Sequence, residues 1–65
     1  MRVNPIDIYD KDGNLTHIEV LTPSGEFVMQ ILWDEHEPQT SACRIVFREW
    51  AYKHLEQSQG YEVDR

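Results

Sequence analysis

The sequence predicts a small α+β domain in which a three-stranded antiparallel meander (β-β-β) packs on one C-terminal helix. Three segments rich in apolar and β-forming residues occupy the first half of the chain, and glycine-containing turns separate them. A segment with apolar residues at helical spacing follows a polar connector that contains a proline. The 65 residues indicate one domain with a small core, because a chain of this length buries only about 60% of its unfolded surface.

The strands are predicted at about residues 5–10, 15–22 and 26–33. The turn between the first two contains Gly13, which favours a three-residue loop with a left-handed residue at its end. That loop would place Ile6 opposite Ile18 and Ile8 opposite Thr16, so that the isoleucines share one face.

The second turn, around Pro23-Ser24-Gly25, permits two loop lengths. A three-residue loop would place Val20 opposite Val28 and mix the two faces. A four-residue loop places Val20 opposite Phe27 and collects the apolar residues on one face. Because a slip of one residue moves every side chain to the other face, we expect the four-residue loop.

The helix is predicted at about residues 41–59, with Thr40 or Ser41 as its N-cap and Gly60 at its C-terminal end. At 100° per residue its core stripe comprises Cys43, Phe47, Trp50 and His54, flanked by Val46 and Ala51. This stripe should cover the sheet face formed by Ile6, Ile18, Phe27, Met29 and Ile31.

The segment YDKDGNLT (residues 9–16) resembles one hairpin of the YD/RHS repeats. The resemblance spans eight residues and implies the hairpin turn alone, with no activity or partner. The segment also has acidic residues at alternate positions, as calcium loops do. In an EF-hand, however, glycine is the sixth residue and glutamate the twelfth, whereas here Gly13 is fourth and Leu21 is twelfth.

The negative charge is concentrated in the first part of the chain. Residues 1–37 hold eight acidic and two basic side chains, net −6, whereas residues 38–65 hold four of each. The pI of 4.8 argues against direct nucleic-acid binding, which needs clustered Lys and Arg. An acidic surface favours instead a protein partner with a basic or mixed surface, because complementary charge speeds association and excludes wrong partners.

The predicted function is a small acidic protein-binding module, an inhibitor or adaptor of the kind that short phage or mobile-element genes encode. It would act by occupying a surface of a larger protein. Three alternatives stay open. One is an inhibitor of a DNA-handling protein that mimics nucleic acid, and the second is a structural homo-oligomer without another partner. The third is a β-ribbon DNA binder that would use Arg44, Arg48 and Lys53 on the helix.

The candidate partner-binding residues lie on three surfaces. A sheet with two partly apolar faces usually covers both, and a homodimer is the simplest cover for so small a core. The candidates are His17, Glu19, Leu21, Val28, Gln30 and Leu32 on the outer face of the sheet; Asp34, Glu35 and Glu37 in the acidic connector; and Ile45 and Tyr52 on the outer face of the helix.

No catalytic, metal or cofactor site is predicted, and we expect no enzyme. Cys43 and His54 would lie about 16 Å apart along one helix, too far for a nucleophile and its base. The acidic connector lacks the ligand spacing of a metal site, and a lone cysteine excludes an intrachain disulfide. Without an apolar run of about 18 residues or a secretory signal, we expect no membrane partner and a cytoplasmic location.

Overall fold

A computed structural model describes all residues, 1–65. The elements are β1 (Arg2–Tyr9), β2 (Leu15–Leu21), β3 (Phe27–Leu32), α1 (Ser41–Gln57) and β4 (Glu62–Val63). The strands form one four-stranded mixed sheet in the order β3-β2-β1-β4. The predicted α+β class with one helix is confirmed, but the antiparallel meander is only part of the sheet, because β4 adds a parallel strand beside β1.

The fourth strand ties the two ends of the chain together. Gly60, with φ +70°, redirects the chain after α1. The Glu62 N–H then donates to the Met1 carbonyl and the Asp64 N–H to the Val3 carbonyl, each at 2.9 Å. A strand of two residues carries no recognisable periodicity, so the sequence could not reveal it.

The first turn is the predicted three-residue loop. Gly13 has φ +79°, and the Asp10 N–H donates to the Asn14 carbonyl at 2.9 Å. One carboxylate oxygen of Asp10 accepts the N–H groups of Asp12 and Asn14 at 2.9 and 3.0 Å. This side chain therefore holds the loop closed, as aspartate commonly does in turns.

An extra residue in β2 changes the register beyond this turn. Tyr9 lies opposite Leu15, but Ile8 lies opposite His17, so Thr16 has no partner in β1. This β-bulge shifts the pairing by one residue along the rest of the hairpin.

The predicted pairing of Ile6 with Ile18 is therefore wrong. Ile6 lies opposite Glu19, and Ile18 lies opposite Asp7. Opposite residues share a face, so Ile6 and its neighbour Ile8 lie on the side of the sheet away from the core.

The second turn also has three residues, so the predicted four-residue loop is wrong. The Thr22 N–H donates to the Glu26 carbonyl at 2.8 Å, and Gly25 has φ +91°. The Thr22 hydroxyl oxygen accepts the Glu26 N–H at 3.0 Å and takes the place that Asp10 has in the first turn.

A second bulge follows the second turn. Leu21 lies opposite Phe27 but Val20 lies opposite Met29, so Val28 is the extra residue. Both Val28 and Met29 pack against the core. Because of this extra residue, Val20 lies opposite Met29 although the loop has three residues.

The core lies between the sheet and α1. Its buried cluster comprises Val3, Ile18, Val20, Ile31, Ala51 and Leu55. The predicted helix stripe is wrong in part, since Ala51 and Leu55 are fully buried whereas Val46 and Trp50 are 68% and 56% exposed. The helix is therefore rotated from the predicted orientation, and two arginines on its flank bond to the first hairpin.

The arginines fasten α1 to the first hairpin. The Arg48 guanidinium forms an ion pair with the Asp7 carboxylate at 2.5 Å, and both side chains are mostly buried. The Arg44 guanidinium donates to the Gly13 carbonyl and to the Gln39 side-chain oxygen, both at 3.0 Å. Asp7 lies on the sheet face that is turned toward α1, so its carboxylate needs a cation on the adjoining side of the helix to offset its desolvation.

The connector is fixed to β2 by one side chain. The Gln39 amide accepts the Leu15 N–H and donates to the Leu15 carbonyl, both at 2.9 Å. Thr40 is the N-cap and accepts the Cys43 N–H at 3.2 Å, as predicted. The helix that follows ends at Gln57, before the predicted boundary. It is neither long nor apolar enough to cross a membrane.

Candidate functional site

The sheet face turned away from α1 is uncovered. Register aligns its residues in three rows across β1, β2 and β3: Asn4–Leu21–Phe27, Ile6–Glu19–Gln30 and Ile8–His17–Leu32. These nine residues form the outer sheet face. None of them belongs to the core cluster or packs against it.

Apolar side chains dominate the outer sheet face. Ile6 is 43% exposed, Phe27 59% and Leu32 67%. Ile8 and Leu21 are half-buried on the same face. Five of the nine residues are therefore apolar, and single exposed apolar residues are ordinary whereas contiguous ones mark interaction sites.

Five of the six predicted sheet candidates lie on the outer sheet face: His17, Glu19, Leu21, Gln30 and Leu32. The placement of Val28 is wrong, because the second bulge turns this side chain to the core. Sequence reasoning missed Ile6, Ile8 and Phe27, which it assigned to the core. The register that turns them outward is linked to β2. Leu15 and Ile18 are both apolar and buried, although strict alternation would put them on opposite faces, so an extra residue must lie between them.

A short polar chain lies within this apolar surface. The Thr16 hydroxyl donates to the Ile8 carbonyl at 3.2 Å, and its oxygen lies 2.8 Å from His17 Nδ1. His17 Nε2 lies 3.9 Å from a Glu19 carboxylate oxygen, so the ring is oriented between a hydroxyl and an acid.

The acidic connector lies at the end of the sheet that carries the first turn. Glu35 and Glu37 line a cleft of 420 Å³ together with Asp10, and the rest of its wall is Asn14, Leu15, Thr16, Trp33 and Gln39. This acidic cleft brings together carboxylates that are far apart in sequence. No three His, Cys, Asp or Glu side chains are grouped closely enough to hold a metal ion.

Three arginines pair with acids outside the acidic cleft, whereas Arg44 lies beside the first turn, bonded to the Gly13 carbonyl and the Gln39 side chain. Arg48 pairs with Asp7, Arg65 with Glu49 and Glu56, and Arg2 with Glu62. The hydrogen bond to Asp7 raises the pKa of Arg48 above its ordinary value, so this cation stays charged. The acids without a Lys or Arg partner are Asp10, Asp12, Glu19, Glu26, Asp34, Glu35, Glu37 and Asp64.

The two helix candidates differ in exposure. Ile45 is 58% exposed, as predicted. Tyr52 is half-buried, with the Arg65 guanidinium 5.0 Å from its ring centre. The C-terminal segment therefore covers part of this face, and burial raises the pKa of the Tyr52 hydroxyl above its ordinary value.

A third surface lies between α1 and the connector. This aromatic groove of 390 Å³ is lined by Trp33, Asp34, Glu37, Ala42, Cys43, Val46, Phe47 and Trp50. The Trp33 and Phe47 rings meet edge to face at 5.0 Å, and Phe47 stacks on Trp50 at 6.4 Å. The buried Trp33 Nε1 makes no hydrogen bond.

Sequence reasoning missed the aromatic groove because it assigned Trp50 to the core. The signal was the spacing of Val46 and Trp50, four residues apart on a helix whose buried residues are Ala51 and Leu55. Comparisons with protein-family models, with curated proteins and with solved structures found no match. The function is therefore inferred from these three surfaces.

Proposed function

We propose that this chain is a small protein-binding module whose outer sheet face occupies an apolar surface, bordered by basic residues, on a larger protein. The observation that carries the proposal is the asymmetry of the sheet. One face is covered by α1, whereas the other keeps Ile6, Phe27 and Leu32 largely exposed. Burying such residues stabilises a complex by about 25 cal/mol per Å² of apolar surface.

The size of the molecule is compatible with this function. Its extents are 32 × 23 × 16 Å. An interface of standard size buries about 800 Å² on each partner and would occupy most of one side of the domain. Binding would thereby block a surface of the partner, which is how a small inhibitor or adaptor acts.

The negative charge of the chain favours a partner with a basic or mixed surface over a second copy of the same chain. Glu19 lies in the middle row of the outer sheet face, and the unneutralised acids surround the first turn and the connector. A basic or mixed partner surface is attracted to this charge, whereas two copies of the chain each carry a net charge of −6.

A homodimer through the outer sheet face is the second candidate. The observation that favours it is the small core, since only eight of 65 residues are buried. Pairing of two outer sheet faces would add apolar burial that the monomer lacks. Glu19 would then face a like charge, which the dimer must accommodate.

The test of the first candidate is capture by immobilised protein, followed by reconstitution with the captured protein in pure form. Leu32→Glu places a charge in the outer sheet face, and Ile45→Glu is the matched control on the helix, of similar exposure. We expect one protein to bind the wild type and the control, and to bind Leu32→Glu about tenfold or more weakly in calorimetry. Equal affinity for the two variants would contradict the proposal.

Sedimentation equilibrium separates the two candidates. The first predicts a monomer whose complex weakens as salt screens the charges. A dimer that Leu32→Glu dissociates and Ile45→Glu leaves intact would favour the homodimer instead. Displacement of the captured protein by duplex DNA would point to nucleic-acid mimicry.

A further inference from the structure

We infer that the aromatic groove is a second binding site, which takes a protein segment carrying a large apolar side chain next to an arginine or lysine. The groove lies between α1 and the connector, and none of its residues belongs to the outer sheet face. It therefore holds or fails independently of the proposed function.

The groove is a preformed apolar site that the chain leaves open. Trp33 and Phe47 form its floor through their edge-to-face contact at 5.0 Å, and Trp33 is buried. Val46 and Trp50 form a wall and are more than half exposed. Its volume of 390 Å³ lies near the lower end of the range of about 300–1,000 Å³ for ligand sites, which suits one large side chain of a segment.

The charge around the groove selects a cation. Asp34 and Glu37 line the groove itself, and Glu37 also lines the acidic cleft, which adds Asp10 and Glu35. None of these carboxylates pairs with a lysine or arginine of the chain. A basic side chain in this position would meet the acids at the rim of the groove, and carboxylates attract cations.

Other occupants fit these observations less well. The phosphates of a nucleic acid or an anionic membrane would be repelled by the same carboxylates. A second copy would bring its own acidic end against this one.

The test is a titration of the ¹⁵N-labelled chain with a blocked tetrapeptide, Ac-Arg-Phe-Leu-Arg-NH₂. The chain has two tryptophans, so its spectrum contains two indole N–H signals, one from each side of the groove. We expect both signals to shift saturably, with a dissociation constant of about 1 mM or tighter. The matched probes Ac-Glu-Phe-Leu-Glu-NH₂ and Ac-Arg-Gly-Ser-Arg-NH₂ should cause no saturable shift, because each lacks one half of the required chemistry.

Three variants locate the site. Val46→Lys should abolish the shifts, because it places a cation in the apolar wall, and Glu37→Gln should weaken binding about threefold or more. Leu32→Glu, on the outer sheet face, should bind the peptide as the wild type does, and its folding is checked by the dispersion of the same spectra. Equal response to all three peptides, or loss of binding in Leu32→Glu alone, would overturn the inference while leaving the proposed function to its own test.

Discussion

The two hairpins are built by the same device but send different side chains to the two faces of the sheet. Each has a three-residue loop that ends in a left-handed glycine, and each has an extra residue three positions after that glycine, Thr16 in the first and Val28 in the second. In the second hairpin the bulge turns Val28 and Met29 to the core. The second hairpin therefore adds apolar packing.

The first hairpin has the opposite effect. Its bulge turns Ile6 and Ile8 outward and brings Asp7 under the helix, where Arg48 must neutralise it. Two isoleucines face away from the core and a partly buried ion pair lies beneath the helix, which is an unfavourable exchange for stability alone. The difference indicates that the second bulge adds apolar residues to the core, whereas the first bulge adds them to the outer sheet face.

The largest expected effect tests the register of the first hairpin directly. Ile18→Ala should destabilise the fold by about 2–5 kcal/mol because Ile18 is fully buried. Ile6→Ala should cost less than about 1 kcal/mol because Ile6 is 43% exposed on the outer sheet face. Urea unfolding measures both, and equal losses would mean that the two isoleucines share the core.

The ion pair between the first hairpin and α1 should give the next largest effect. Asp7→Ala leaves the Arg48 guanidinium without its partner and should cost about 1.5–3 kcal/mol. The double variant Asp7→Leu/Arg48→Met should recover most of this loss, since apolar groups of similar size can replace a buried ion pair. Urea unfolding of Asp7→Leu, Arg48→Met and this double variant gives the coupling energy, and purely additive losses would argue against a direct pair.

The two turns should respond alike to a smaller change. Gly13→Ala and Gly25→Ala each place a Cβ at positive φ, +79° and +91°, with no neighbouring atom in the way. Each should therefore cost about 1–2 kcal/mol from backbone strain alone. Thermal unfolding measures this cost, and a difference between the two variants larger than about 1 kcal/mol would show that the turns are not equivalent.

The smallest expected effect concerns alkaline pH. Burial and then the negative charge of Asp7 raise the pKa of Tyr52, so the folded chain favours the neutral phenol. Its stabilisation is complete below the unfolded pKa of about 10 and is lost as pH rises through the folded value. Between about pH 8 and pH 11 the wild type should therefore lose more stability than Tyr52→Phe. An equal loss would indicate that other groups cause the alkaline change.

Local signals in the sequence predicted the class of the fold, the helix and its N-cap. The left-handed glycine of the first turn and the Thr40 cap each depend on a few neighbouring residues, and such features are readable from the chain alone. The register depended on the two bulge residues, Thr16 and Val28, which a strictly alternating pattern cannot include. Leu15 and Ile18 are both buried only because Thr16 is extra, and a periodic pattern has no position for such a residue.

The residues of the candidate site show the same contrast between local sequence signals, which were readable, and tertiary contacts, which were not. Five of the nine residues of the outer sheet face were predicted, three of them because β2 alternates regularly from His17 to Leu21. Its β1 residues were missed with the register, and Trp50 was missed because α1 turns Ala51 and Leu55 to the core instead. Helical periodicity identifies an apolar stripe, but tertiary packing decides which part of it is buried.

The pairing of β4 with β1 has a consequence for the order of folding. The hairpins close over short loops, whereas β4 joins residues from the two ends of the chain, which carries a larger entropic cost of closure. This pairing should form last and open first. The Asp64 amide, bonded to the Val3 carbonyl, should then exchange with solvent faster than the Val20 amide in the central strand, and opening would expose Val3 before the hairpins unfold.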